Sequence, residues 1–353
     1  MAKEGIELRQ LTPLIRERCK ASGWAACIGA GTSRPVFPGW RELVERLIER
    51  DVGVNAATVT ANLADKFSYD ALIQAAQDRL GYDDKTFTDA LTTELYRDVE
   101  KSLRPSEWLL LTDVLSSLDI GGVNPADRSV FVDLVRNKLK ALSAIQIAEV
   151  VSEVIDTNLA PSAILSFNAE PLLYALINAF AAIRFAPKEA KPVDIITHGI
   201  SNRKANRIPY YFCHGLLPVP NPKGNKRPRA KSPDKLVFSE TNYLQLANSA
   251  FSWQSSVFID VCSSRSVVFI GVSLSDPNMR RWLSWIHANR VQELKERGAY
   301  RGVSTSHLWI NTKPASDAER AWIESCVAHL GVRLVWINSW SETGQGLRLL
   351  LGK

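Results

Sequence analysis

Paired cysteines are missing from this chain. Five cysteines occur in 353 residues, Cys19, Cys27, Cys213, Cys262 and Cys326, and no two share C-x-x-C spacing. That pattern argues against a disulfide framework and against a structural zinc site. Cys27 and Cys213 lie in or beside apolar runs and read as small core fillers. No apolar run reaches about 18 residues, so no membrane span is expected. The opening MAKEGIELRQ is charged, with no apolar stretch behind it. A secretory signal is therefore not expected, and a cytoplasmic location is. A strong charge imbalance is also lacking: 43 basic against 37 acidic residues leave +6. Much of the excess sits in Asn221 to Lys235, NPKGNKRPRAKSPDK. No aromatics interleave with those charges, which favours a solvated basic loop over a nucleic-acid contact. There is no internal repeat, no G-x-S-x-G elbow for a hydrolase triad and no His/acid cluster with metal-ligand spacing.

What is present is an alternation of apolar strands and amphipathic helices, with an apolar content of 46%. Ile6 to Lys20 reads as a helix entering a first strand, AACIG. From Trp40 to about Asp156 apolar residues recur at three- and four-residue spacing, as in YDALIQAAQDRL and SAIQIAEVVSEVI, without a convincing strand. Strands then return: AILSF, VDIIT, IPYYFCHG, KLVFS, SVVFIG, HLWIN and RLVWIN. Helices fall between them, over AEPLLYALINAFAAI, from about Glu240 to Cys262, from Asp276, and over AERAWIESCVAHL. This order predicts an α/β fold: a Rossmann-like, mostly parallel sheet with helices on both faces. Residues 1–40 and 157–353 form the expected core, and 41–156 an inserted helical module.

The first strand runs into Gly29-Ala30-Gly31-Thr32-Ser33. Glycines there allow a tight turn and close backbone approach to phosphate. The redox-dinucleotide fingerprint nevertheless fails. Arg34 stands where a third Gly or Ala belongs. Pro35, Pro38 and Gly39 delay the helix to about Trp40. No second strand follows to carry a ribose-binding acid. A plain strand-to-helix connection is the competing reading.

Ligands of open α/β sheets bind at the carboxyl ends of strands. Three more strand ends carry polar residues: Ser166-Phe167-Asn168-Ala169-Glu170, His214-Gly215, and Gly271-Val272-Ser273-Leu274-Ser275-Asp276. Each has a structural reading too. Asn168 fits a helix N-cap, His214 a turn, and Asp276 before Pro277 an N-cap with proline at the first helical position. His198, His287, His307 and His329 lack comparable placement; His198, ending VDIIT, reads as a turn or surface residue. Taken in order, the four motifs resemble the SIR2 (sirtuin) family, specifically the SIR2-like domains of bacterial anti-phage defence proteins, over about Trp24 to Asp276. The resemblance puts the family's glycine loop on Gly29, Ala30, Gly31 and Ser33. Pro35 and Trp40 fall where the defence branch often has proline and tryptophan. The catalytic asparagine falls on Asn168, the catalytic histidine on His214, and the segment holding the adenine-side ribose on Gly271 and Ser273.

Two departures bear on the activity implied. The deacetylases carry four zinc cysteines between the histidine and the late G-x-S strand; here only Cys262 lies there. Their asparagine motif usually has Asp two residues on; here that residue is Glu170. The resemblance therefore implies NAD+ hydrolysis rather than deacylation, with NAD+ as substrate and no metal. In that chemistry Asn168 orients water, and His214, titrating near neutrality, takes a proton. The turn anchors the pyrophosphate, with Arg34 adding a charge, and Ser273 bonds the adenosine ribose. Glu170 either orients ribose hydroxyls or favours its helix N-terminus. The resemblance further implies a regulated antiviral effector, a homo-oligomer, and an activating partner such as a HerA-type ATPase or an Argonaute-like protein. The alternative is an NAD+ or ADP-ribose sensor without turnover.

Overall fold

The computed structural model describes residues 5–10, 17, 23–51, 53–117, 123–185, 192–199, 207–221, 236–248, 252–300, 302 and 305–353. Most of the basic stretch, 222–235, and Cys19 lie outside them. Among the described residues, eight strands form one sheet: β1 (Ile6–Glu7), β2 (Trp24–Ile28), β3 (Ile164–Ser166), β4 (Val193–Ile196), β5 (Ile208–Phe212), β6 (Ser266–Ile270), β7 (His307–Thr312) and β8 (Val332–Ile337). Their order is β1-β8-β7-β6-β2-β3-β5-β4, and each pair is parallel. Successive side chains of a strand point to opposite faces. Accordingly, Trp24, Ala26 and Ile28 of β2 enter one apolar cluster while Ala25 and Cys27 enter the other. Burial on both faces explains why these strands read as unbroken apolar runs.

Between β2 and β3 the chain is helical: α1 (Trp40–Ile48), α2 (Ala56–Leu63), α3 (Tyr69–Arg79), α4 (Asp84–Ser102), α5 (Pro105–Ser116), α6 (Pro125–Asp133) and α7 (Leu142–Val154). Asn55 and Asp83 start α2 and α4 by accepting the N–H groups of Thr58 and Thr86. The buried Arg46 ties α1 to α4. Its guanidinium donates to the Glu94 carbonyl at 2.8 Å, to Glu42 at 2.7 Å and to Asp98 at 2.5 Å. The residues of this segment share one apolar cluster with the sheet, and α7 packs against α8 (Leu172–Arg184). The chain continues through α9 (Glu240–Asn248), α10 (Trp253–Ser264), α11 (Pro277–Glu296), α12 (Asp317–Ala328) and α13 (Thr343–Leu351). No described helix is long and apolar enough to cross a membrane.

Four local expectations are corrected. Ile6–Glu7 is a strand, not the start of a helix; it pairs with β8, whose edge would otherwise be open. Leu236 to Ser239 is irregular, not a strand. Val237 and Phe238 enter opposite apolar clusters, which mimics strand alternation, but no described strand pairs with them. The helix from Glu240 is two helices, the second newly capped by Ser252, which accepts from Ser255 N–H. Finally, α13 follows β8, a helix missing from the expected set. Its two glycines lower helix propensity, and tertiary contacts hold it instead: Gly344 N–H donates to Gln146, and Arg348 forks onto Glu153.

Candidate active site

The last residues of four adjacent strands stand side by side. Ile28 is in register with Ile270 on one flank and Ser166 on the other, and Ser166 with Phe212. The residues that follow therefore emerge at one edge of the sheet, where the strand order reverses around β2. Such a switch point is where open α/β sheets bind ligands. A cleft of about 570 Å³ lies there, within the range of small-molecule sites. Gly29, Ala30, Gly31, Arg34, His214, Gly271 and Ser273 line it. A second, small cavity of about 40 Å³ adjoins, lined by Ser33, Asn168 and Glu170. Ala30, Gly39, Trp40 and Phe167 border both. The structure thus divides the expected site residues between two compartments, with the Trp40 and Phe167 rings at their boundary.

The glycine turn is a 3₁₀ turn over Ala30–Ser33, and α1 begins at Trp40 as the prolines require. Its glycines serve backbone packing against the loop after β6. A Cβ on Gly29 would sit 2.5 Å from the Gly271 carbonyl oxygen, and one on Gly271 would sit 2.5 Å from the Thr32 nitrogen. Gly29 N–H donates to Ile270, Gly31 N–H to Gly271 and Thr32 N–H to Gly29. Three of the five N–H groups in Gly29–Ser33 are thus committed within the protein. Arg34 pairs with Glu42 at 3.0 Å while lining the cleft. Past Gly271, Leu274 takes a left-handed backbone (φ +52°) with its side chain buried, between the exposed Ser273 and Ser275.

In the small compartment, Asn168 Nδ2 donates to Ser33 Oγ at 3.1 Å and to Glu170 Oε1 at 3.0 Å. Ser33 Oγ in turn donates to Glu170 Oε1 at 2.5 Å. The acceptor Glu170 fixes the amide's orientation and leaves Asn168 Oδ1 buried without a partner among the described residues. Asn168 is not a helix cap. The N-cap position is Pro171, and Glu170 Oε2, one residue before it, accepts from Leu172 N–H at the start of α8. Burial raises the Glu170 pKa to about 7, against the lowering pull of Ser33, Leu172 and Asn168.

Across the boundary, His214 sits edge-on to Phe167, with ring centres 4.9 Å apart, and lies 6.0 Å from Trp40. Its Nε2 is 3.1 Å from the Tyr243 hydroxyl, and its Nδ1 is buried without a partner among the described residues. The expectation that His214 titrates near neutrality is corrected: burial lowers its pKa to about 3, so the imidazole is neutral. Cys27, Cys213 and Cys262 are buried, and burial pushes the Cys213 thiol up to about 12, which suits core fillers. His198 is exposed and lines neither compartment. Among the described residues, no three His, Cys, Asp or Glu side chains group as a metal site.

Sequence reasoning missed Tyr243, Trp40 as part of the boundary, and the role of the helical segment as a wall. Leu43 and Leu95 line the small compartment, and Ser68, Tyr69 and Asp70 the cleft. Only spatial proximity joins these residues to the motifs.

Glu170 makes a pH test. Between about pH 4.5 and 7 the folded chain keeps a proton there that the unfolded chain releases. Stability from this group therefore falls as pH rises through that window, by about 3 kcal/mol, and is level above it. His214 acts oppositely, adding stability as pH rises from about 3 to its ordinary 6.5. Comparing wild type with Glu170→Gln cancels the histidine. Denaturant unfolding is expected to show the difference moving by about 3 kcal/mol in the variant's favour between pH 4.5 and 7.5. A pH-independent difference would mean that the carboxyl ionises alike in both states.

No curated protein matches the chain. A family model described as a SIR2-like domain matches residues 177–330, which include His214, Gly271 and Ser273 but neither Asn168 nor the glycine turn. A SIR2-like domain is therefore present over part of this chain, from α8 to just before β8.

Proposed function

We propose that this chain cleaves NAD+ at the nicotinamide–ribose bond, releasing nicotinamide and ADP-ribose. One observation carries the reading. A neutral amide and a neutral imidazole, each with one buried heteroatom lacking a partner, follow neighbouring strands beside a cleft at the sheet's switch point. Glycosidic cleavage of this kind passes through an oxocarbenium-like state. Nicotinamide departs as a neutral base, and water adds at the ribose carbon. Asn168 Oδ1 accepts one hydrogen of that water and orients it without bringing a charge into the site. The proton lost by water passes to His214 and then to solvent. Glu170 and Ser33 hold the amide for this task. Because the small compartment cannot contain a ribose, turnover requires Phe167 and Trp40 to move aside.

That boundary also favours a second reading, a sensor that binds NAD+ or ADP-ribose in the cleft without cleaving it. Deacylation is the third reading, and the sequence has no C-x-x-C pairs to build a zinc module for it. With the first reading goes a regulated effector of antiviral defence that depletes NAD+ in the cytoplasm. A homo-oligomer, a HerA-type ATPase or an Argonaute-like protein would release it.

The experiment is incubation of the full chain with NAD+, reading nicotinamide by chromatography and binding by calorimetry. Release without peptide is the expected result. Tight binding without release favours the sensor, and release only with an acyl-lysine peptide favours deacylation.

A further inference from the structure

We infer that Tyr243 and Asp276 form a positioning relay that fixes the tautomer of His214, leaving its Nδ1 as the bare lone pair. Its bearing on turnover rests on the function proposed above; the tautomer itself does not.

A neutral imidazole carries one N–H, so His214 has two arrangements. Its Nε2 meets the Tyr243 hydroxyl at 3.1 Å, and its Nδ1 has no hydrogen-bond partner among the described residues. Tyr243 lies on α9, packed against α3, and lines the same cleft as His214 and Asp276. The Asp276 carboxyl faces the same cleft and acts on that hydroxyl, helping to raise its pKa. Asp276 is itself anchored, its Oδ1 accepting from Met279 N–H at 2.9 Å as the cap of α11. Burial and the nearby Asp276 and Asp70 carboxyls keep the phenol protonated.

With the proton on Nε2, every group in the row is served. Nε2–H donates to the Tyr243 oxygen, and the Tyr243 hydroxyl donates to Asp276. With the proton on Nδ1, the hydroxyl must turn to Nε2 and away from Asp276, which keeps only its backbone donors, and a buried N–H faces no acceptor among the described residues. Buried N–H groups are left orphaned more rarely than buried acceptors. The first arrangement wins on each count. It leaves a lone pair on the side of the ring away from Tyr243, ready for a hydroxyl or a water of the substrate. A second shell that sets which imidazole nitrogen acts is a recurrent device.

The test is the two-bond proton–nitrogen correlation spectrum of the full chain labelled in its histidine rings, with the His214 signals identified by their loss in His214→Gln. The wild type is expected to show Nε2 protonated and Nδ1 bare. Tyr243→Phe is expected to convert this into a tautomer mixture. Asp276→Asn, which retains helix-capping ability, should move it in the same direction. A wild-type spectrum with Nδ1 protonated overturns the relay, as does a folded Tyr243→Phe whose pattern is unchanged. If Tyr243→Phe fails to fold, the wild-type and Asp276→Asn spectra decide. In the cleavage assay, Tyr243→Phe should lower kcat by at least about tenfold with KM nearly constant, since a wrong tautomer disables a base without removing binding contacts. Unchanged kcat overturns the positioning role. A wild type that cleaves no NAD+ overturns the proposed function instead, and the spectrum still decides the relay.

Discussion

Asn168→Ala is expected to lower NAD+ cleavage by at least about 10²-fold, and His214→Ala by a similar factor, the low end for groups that orient or deprotonate a nucleophile. The amide's one unpartnered atom, Oδ1, is the feature the reaction needs. Truncation leaves the Ser33–Glu170 hydrogen bond in place, and Glu170 still accepts from Leu172 N–H. The fold should therefore survive, and unfolding midpoints should stay near wild type. The double variant should lose little more than either single one, because groups that act on one water fail together. Initial rates of nicotinamide release check all three. Near-wild-type rates in both single variants would remove these residues from the chemistry.

Gly271→Ala is expected to be the most destabilising single-methyl change at the site. The position has φ +66°, which costs an L-residue about 1–2 kcal/mol by itself. The new Cβ would also lie 2.5 Å from the Thr32 nitrogen and 2.7 Å from Thr32 Cγ2. Backbone atoms cannot rotate away, so the loops after β2 and β6 must separate. A total loss above about 3 kcal/mol follows, beyond what most single substitutions cost. Gly81 is the control: its φ is +62°, but a Cβ there meets nothing within 4 Å. Gly81→Ala should therefore lose only the backbone part. Urea unfolding of the two variants separates strain from clash. Equal losses would mean that the two loops do not interlock.

The sheet was legible because its strands are short and mostly apolar and buried, and most of those between Trp24 and Ile337 are separated by helical periodicity. The ends of the chain were not. Ile6–Glu7 is too short to show a period, and α13 carries two glycines and depends on α7. Leu236 to Ser239 shows how an alternating pattern arises wherever a segment lies between two apolar layers. The motif residues could be read because each ends a strand, and strand register alone brings those ends to one edge. Their environments could not be read. Burial sets the charge state of His214 and Glu170, and burial comes from the packing of Phe167, Trp40 and Phe238, which only the fold brings together. Nor could the sequence disclose that Gly29, Gly31 and Gly271 first serve one another, since that contact joins residues some 240 positions apart.

The most direct test is a crystal structure of the full chain with a carbocyclic NAD+ analogue, in which carbon replaces the ribose ring oxygen and blocks cleavage. The expected result has Phe167 and Trp40 displaced and the two compartments joined. The nicotinamide ribose then lies with Asn168 Oδ1 and His214 Nδ1 each within about 2.6–3.2 Å of it or of one bridging water. An analogue seated in the cleft with Phe167 still standing between Asn168 and the sugar would contradict a shared site for the amide and the imidazole.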